Sequence, residues 1–152
     1  MPAQEEKAGR IVVGVDGSEP GDAALRWAVR QAELTGASVD AVIVWEYPAA
    51  LSGYGMGPIP MYDNDFPVVA EKTVTEAISK AVDPASHVQV RAQVVEGGAA
   101  LALLNAAEGA DLLVVGSRGH GGFAGALLGS VSQHCVHHAR CPVVVIRGHG
   151  EG

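Results

Sequence analysis

Short apolar runs alternate with helix-period patterns along this chain from one end to the other, and that alternation leaves few folds open. Arg10–Val15, Ser38–Trp45, Asp111–Val115 and Cys141–Ile146 are each rich in valine, with isoleucine or leucine beside it. Such runs, bounded by polar or glycine-containing stretches, read as strands covered on both faces. His87–Val95 alternates apolar and polar residues instead and reads as a third strand nearer a sheet edge. Between the first two runs, Ser18 or Glu19 opens a helix, with Pro20 tolerated in its first turn. Ala24, Leu25, Ala28, Val29 and Ala32 fall on one face of it, Asp22, Arg26, Arg30 and Glu33 on the other, and Gly36 supplies the stop.

Three further helices are expected: Val68–Val82, with Val74, Ile78 and Ala81 on its apolar face; Ala99–Ala107, after Gly97-Gly98; and Ser130 to about His138. The order βαβαβαβαβ predicts an α/β fold with one open, mostly parallel five-stranded sheet and helices on both faces. At 152 residues the chain reads as one domain over 10–147, with polar tails at 1–9 (disordered) and 148–152. Pro48 to Pro67, with repeated Gly and Pro among Tyr54, Tyr62 and Phe66, reads as a long loop of the functional or mobile kind.

The formal net charge of −7 and the lack of a basic run argue against nucleic acid as a primary partner. No apolar stretch approaches the roughly 18–20 residues of a membrane span, and Met1–Gly9 has no signal-peptide core. Cys135 and Cys141 fit neither a disulfide framework nor a CxxC motif, so both read as reduced thiols in a cytoplasmic protein.

The segment with the most chemistry is Gly116-Ser117-Arg118-Gly119, which empties the fourth apolar run and leads to Gly129-Ser130-Val131-Ser132. A strand that exits into a glycine loop and then a helix start exposes backbone N–H groups at the positive end of a helix dipole, a place to hold phosphate. The spacing Gly-x2-Gly-x9-Gly-Ser is not a Walker loop, because no Lys precedes Ser130, and no Gly-x-Gly-x-x-Gly follows the first strand. In an open α/β sheet ligands sit beyond the carboxyl ends of the strands, where strand order reverses. If strands one and four are neighbours, Gly14–Ser18 and Gly116–Gly119 face each other there.

With Ile11-Val12-Val13-Gly14-Val15-Asp16-Gly17-Ser18, Val114–Gly119, Gly125–Ser132 and Cys141–Val145, the chain resembles the universal stress protein family in its ATP-binding subgroup. The resemblance covers Arg10 to Arg147. It implies the adenine-nucleotide alpha-hydrolase-like fold with strand order 3-2-1-4-5, and a homodimer through the last strand, with Val143 and Val145. It also implies ATP as ligand. Asp16 would lie near the ribose or a metal–phosphate group, Gly14 and Val15 would border the adenine, and Val44 would reach it through main chain. Gly116, Ser117, Arg118 and Gly119 would line the ribose and phosphates, and Gly129, Ser130, Val131 and Ser132 would offer N–H and hydroxyl groups to the phosphates. Gly125 to Leu128 is small and apolar and offers no side-chain donor.

Each of these residues has a plainer role open to it. Ser130-Val131-Ser132-Gln133 makes a capping box, Gly116 and Gly119 a turn, and Asp16 a turn before Gly17. A carboxylate beside phosphate needs a cation or a ribose hydroxyl, so Mg bridging Asp16 and the phosphates is expected if ATP binds. His134, His137 and His138, at i, i+3 and i+4, offer two metal ligands or a set of dipole partners at a helix C-terminus. His120 would approach the phosphates or stay solvated, and Trp45 and Tyr47 would cover an adenine or anchor the long loop. With no lysine at the loop and no Walker-type acidic strand end, the reading is a nucleotide-binding stress-response regulator rather than an enzyme. The alternatives are a slow ATPase or phosphotransfer protein, an AMP or cyclic-nucleotide binder, and a dimeric interaction module.

Overall fold

The computed structural model describes residues 9–46, 65–117 and 129–147. Along them run β1 (Arg10–Val15), α1 (Glu19–Thr35), β2 (Ser38–Trp45), α2 (Phe66–Ala81), β3 (Val90–Glu96), α3 (Ala99–Ala106), β4 (Leu112–Gly116), α4 (Ser130–His138) and β5 (Val143–Ile146). The five strands form one sheet in the order β3-β2-β1-β4-β5, every pairing parallel. The expected architecture and strand order both hold.

The strand alternation divides the core in two. Ile11, Val13 and Val15 of β1, with Val39, Ala41 and Ile43 of β2, pack against Leu25, Ala28 and Val29 of α1 and Ala70 and Val74 of α2. On the other face, Val12, Val42, Leu113 and Val115 pack with Leu103 of α3 and Cys135 of α4. Leu25, Val29, Val74 and Leu113 are essentially sealed from solvent, each stabilising the fold by about 1.5–3 kcal/mol through burial. Alanine on α1 lets that helix lie close to the sheet. Gly36, at φ 81°, ends α1 in the left-handed conformation, and its N–H donates to the Ala32 carbonyl.

Three element starts differ from the sequence expectation by two residues or more, each for a local reason. The strand expected from His87 starts at Val90, because the preceding backbone amides have local partners. Ala85 N donates to Asp83 Oδ1, Ser86 N to Asp83 O, and Val88 N to Ser86 Oγ. The helix expected from Val68 starts at Phe66, with Pro67 in the first turn, where its missing N–H costs nothing. The last strand, expected from Cys141, starts at Val143; Pro142 lacks an N–H but still accepts from Leu113 N at 3.0 Å.

At the amino edge of the sheet sits an ion cluster that the sequence reading missed. Asp40, the third residue of β2 and 2% exposed, accepts from Arg10 Nη1 at 3.1 Å and from Arg91 Nε at 3.0 Å. Arg10 also donates to the carbonyls of Ala106 and Glu108, tying the start of β1 to the end of α3. Among the described residues no helix is long and apolar enough to cross a membrane.

Candidate functional site

β1 and β4 are neighbours, and their register runs from Ile11↔Leu112 to Val13↔Val114. Past that point β1 continues beside β2 to Val15↔Ile43, and β4 beside β5 to Gly116↔Ile146. The chain leaves β1 toward one side of the sheet and β4 toward the other, so the strand order reverses here and a crevice opens at their carboxyl ends. The two loops that the sequence reading set conditionally face to face therefore do leave adjacent strands.

On the β1 side the turn is held by short polar contacts. Gly17 takes φ 82°, which favours glycine, and is followed by Ser18 as the N-cap of α1. Ser18 N and Oγ both donate to Asp16 Oδ1, and Ser18 Oγ accepts from Gly21 N at 3.2 Å. A Cβ on Gly21 would lie 2.7 Å from Asp16 Oδ1, so this glycine makes room for the carboxylate. Asp16 is thus exposed yet oriented, and it forms the turn that follows β1. Gly21 was overlooked; a glycine inside the first turn of a good helix was the available signal, since it costs roughly 1 kcal/mol without a packing reason.

The neighbouring positions are less open than expected. Val15 is buried among the α1–α2 core residues, so only its main chain can border a ligand. A Cβ on Gly14 would lie 2.9 Å from Leu103 Cδ1. Val44 is half-buried near the end of β2 and packs on the α3–α4 side.

On the β4 side, Gly116 has a structural reason for lacking a side chain: a Cβ there would lie 2.8 Å from the Pro20 carbonyl carbon. The first turn of α1 thus packs directly on the strand exit. Ser117 is buried, and its N–H donates to Ile146 O at 2.8 Å. Its carbonyl accepts from Gly129 N at 2.6 Å and from Ser132 Oγ at 3.1 Å. These bonds tie the residue after β4 to the first turn of α4 and fix where that helix starts. Arg118 and Gly119, with His120 and the apolar Gly125–Leu128 stretch, lie outside the described residues.

The expected capping box is replaced by a different arrangement. Gly129 is the N-cap of α4, with φ −73° and ψ 168° and no side-chain cap. Ser132, 2% exposed, turns its hydroxyl inward to the carbonyls of Ser117 and Gly129 rather than outward. The first intrahelical acceptor, Gly129 O, is taken by Gln133 N. Helix geometry leaves the amides of Ser130, Val131 and Ser132 without intrahelical acceptors. They are the donors this end can offer an anion, with the exposed Ser130 hydroxyl beside them.

Around this frame, burial pushes the Asp22 carboxyl up, against the attraction of Lys80 and Arg26. Burial likewise pushes the Cys135 thiol up to about 11 and raises that of Cys141, so both are poor nucleophiles at neutral pH. Trp45 and Phe66 approach at 6.3 Å between ring centroids, joining the end of β2 to the start of α2. Tyr47, Tyr54 and Tyr62 lie outside the described residues.

The sequence profile of the universal stress protein family matches residues 7–147. A universal stress protein of Mycolicibacterium smegmatis is 32% identical over 143 residues, which cover 91% of this chain and 48% of that protein. The chain spans about half the length of the curated relatives it matches. A universal stress protein solved in complex with cAMP has a TM-score of 0.62 at 25% identity, covering 91% of this chain and 95% of that one. The universal stress protein from Archaeoglobus fulgidus in complex with dAMP, 20% identical, shares the fold at a TM-score of 0.58 over 92% of this chain and 98% of that one. A profile that runs from ahead of β1 to just past β5, on a sheet of this order, shows that the chain belongs to the universal stress protein family.

Proposed function

We propose that this protein binds an adenine nucleotide, ATP in the first instance, in the crevice beyond β1 and β4, and acts as a nucleotide-dependent regulator in the stress response. The observation that carries the reading is the start of α4. Three consecutive amides, those of Ser130, Val131 and Ser132, have no intrahelical acceptor, and the Ser117–Gly129 and Ser117–Ser132 bonds hold them in place. Preorganised donors of that kind favour a phosphate chain without the cost of ordering a loop first. The structural relative carrying cAMP supports the adenine class.

In this reading Gly14, Val15 and Val44 border the adenine through main chain, and Gly116, Ser117, Arg118 and Gly119 line the ribose and phosphates. Asp16 faces the ribose or a magnesium ion on the phosphates. Its oriented, exposed carboxylate suits a cation partner, because carboxylate and phosphate repel each other without one. Magnesium would supply that positive charge. Hydrolysis would need a base positioned on water, and Asp16 Oδ1 already accepts two bonds from Ser18, which favours binding over turnover. Bound ATP would then stabilise one conformation, or a homodimer paired through the exposed edge of β5, where Val143 and Val145 lie, by RT ln(1 + [L]/Kd). We further propose a cytoplasmic location and no role for nucleic acid.

The test is calorimetric titration of the purified protein with ATP, AMP and cAMP, with the double variant Gly119→Val, Ser130→Ala alongside. Saturable binding of at least one adenylate, weakened tenfold or more in the variant, is the expected result. Binding at wild-type strength in the variant, or none to the wild type at millimolar nucleotide, overturns the reading. Release of labelled phosphate above buffer, abolished by Asp16→Ala, would make the protein an ATPase instead.

A further inference from the structure

The other end of α4 carries chemistry that the nucleotide site does not use. His134 and His138 lie one helical turn apart, both exposed, with ring centroids 4.8 Å apart and ring planes at 36°. His137 is also exposed, but its ring stands 6.4 Å from that of His138 and is turned 55° from it. The buried face of the helix is made by Ser132 and Cys135, and the two tilted imidazoles lie outside it.

We propose that His134 and His138 form a chelating site for a divalent transition metal of the zinc, nickel and copper class. Residues at i and i+4 lie above one another on a helix, which lets two imidazoles take adjacent positions on one ion. Metal–nitrogen bonds of about 2.0–2.1 Å require the two nitrogens to come within roughly 3 Å of each other. Rings with centroids 4.8 Å apart reach that by a small side-chain rotation, without moving the helix. Imidazole nitrogens suit zinc, copper and nickel and discriminate against magnesium and calcium. His138 is the last residue of α4, so the negative end of the helix dipole adds attraction for a cation.

Among the described residues no group of three or more His, Cys, Asp or Glu gathers around a common point. The described residues thus supply two imidazoles to the ion, and water can fill the remaining positions. An ion held there clamps the last turn of a nine-residue helix, at the end opposite its free amides. The proposal does not depend on nucleotide binding.

The experiment is titration of the metal-free full chain with Zn(II) or Ni(II) alone, read by calorimetry and by the histidine ring proton resonances. One equivalent should bind with micromolar affinity, and the ring signals of His134 and His138 should shift with Zn(II) and broaden with Ni(II) ahead of the other histidines. His134→Ala and His138→Ala should each weaken binding at least tenfold, with His137→Ala close to wild type. Affinity unchanged in either of the first two variants, loss confined to His137→Ala, or no saturable binding below millimolar metal overturns the assignment. The wild-type resonances decide the matter should a variant fail to fold.

Discussion

The Ser132 hydroxyl donates to the carbonyl oxygen of Ser117 at 3.1 Å, joining the first turn of α4 to the residue that follows β4. Both residues are buried, and the same carbonyl accepts from Gly129 N. Two points fifteen residues apart in sequence are thereby fixed to one another. Ser132→Ala removes a buried donor from two carbonyls. It is expected to lower stability by about 1–2 kcal/mol in denaturant titration. Nucleotide affinity should fall with it, because the helix start is no longer pinned. Unchanged stability would show that the hydroxyl is replaceable by packing.

Ser130→Pro separates the free amides from the integrity of the helix. Proline is well tolerated at the first helical position, and Gly129, with φ −73° and ψ 168°, already has the extended conformation a preceding residue needs. The substitution deletes one amide and one hydroxyl from the proposed phosphate site and leaves the fold alone. Adenylate affinity should drop about tenfold, as expected for a lost charge-assisted hydrogen bond. The melting temperature without ligand should be close to wild type. Affinity at wild-type level in calorimetry would remove this amide from the site.

Two glycines on neighbouring strands should respond differently to alanine. At Gly116 the new Cβ would meet backbone atoms and Cβ of Pro20 within 2.9 Å, and a helix start cannot step aside cheaply. At Gly14 it would meet the end of the Leu103 side chain, which can rotate. Gly116→Ala is expected to cost about 1–3 kcal/mol, and Gly14→Ala clearly less. Equal costs in parallel urea titrations would contradict the packing described for the β4 exit.

Asp40 is the carboxylate on which two arginines converge. Asp40→Ala removes the acceptor of both guanidinium groups, while Arg10 keeps the Ala106 and Glu108 carbonyls, and should cost about 1.5–3 kcal/mol. Arg91→Ala should cost under about 1 kcal/mol, because that side chain is 69% exposed and Asp40 keeps Arg10. Thermal unfolding of the two variants side by side checks the asymmetry.

Alkaline pH should weaken the fold through Cys135. Burial lifts its thiol from 9.0 to about 11, so the folded state holds the proton longer than the unfolded chain does. Stability from this group is complete below pH 9 and is lost as pH rises toward 11, by about 2–3 kcal/mol at most. The difference in unfolding free energy between wild type and Cys135→Ala should therefore shrink over that interval. A constant difference would show that the thiol does not titrate with folding.

The alternation of apolar runs with helical faces was enough to read the order of elements, because both-face burial and 3.6-residue periodicity are local properties of sequence. Gly36 and the α1 stripe could be read for the same reason, and the family resemblance supplied the strand order. Boundaries slipped where local side-chain bonds or a proline took over, at Asp83–Val88, Phe66–Pro67 and Pro142, since such bonds leave the hydrophobic pattern untouched.

Local pattern was enough to show which residues could hold phosphate in the proposed site and which face of each element would be buried. Tertiary structure alone decided their assignments. Gly116 is small because Pro20 lies against it, Ser132 turns inward because Ser117 is there, and Asp40 lies buried because Arg10 and Arg91 meet it from neighbouring strands. Each of these depends on atoms distant along the chain, brought within a few ångströms by strand pairing and helix packing. Periodicity records only a residue's own exposure, so it holds no trace of such partners.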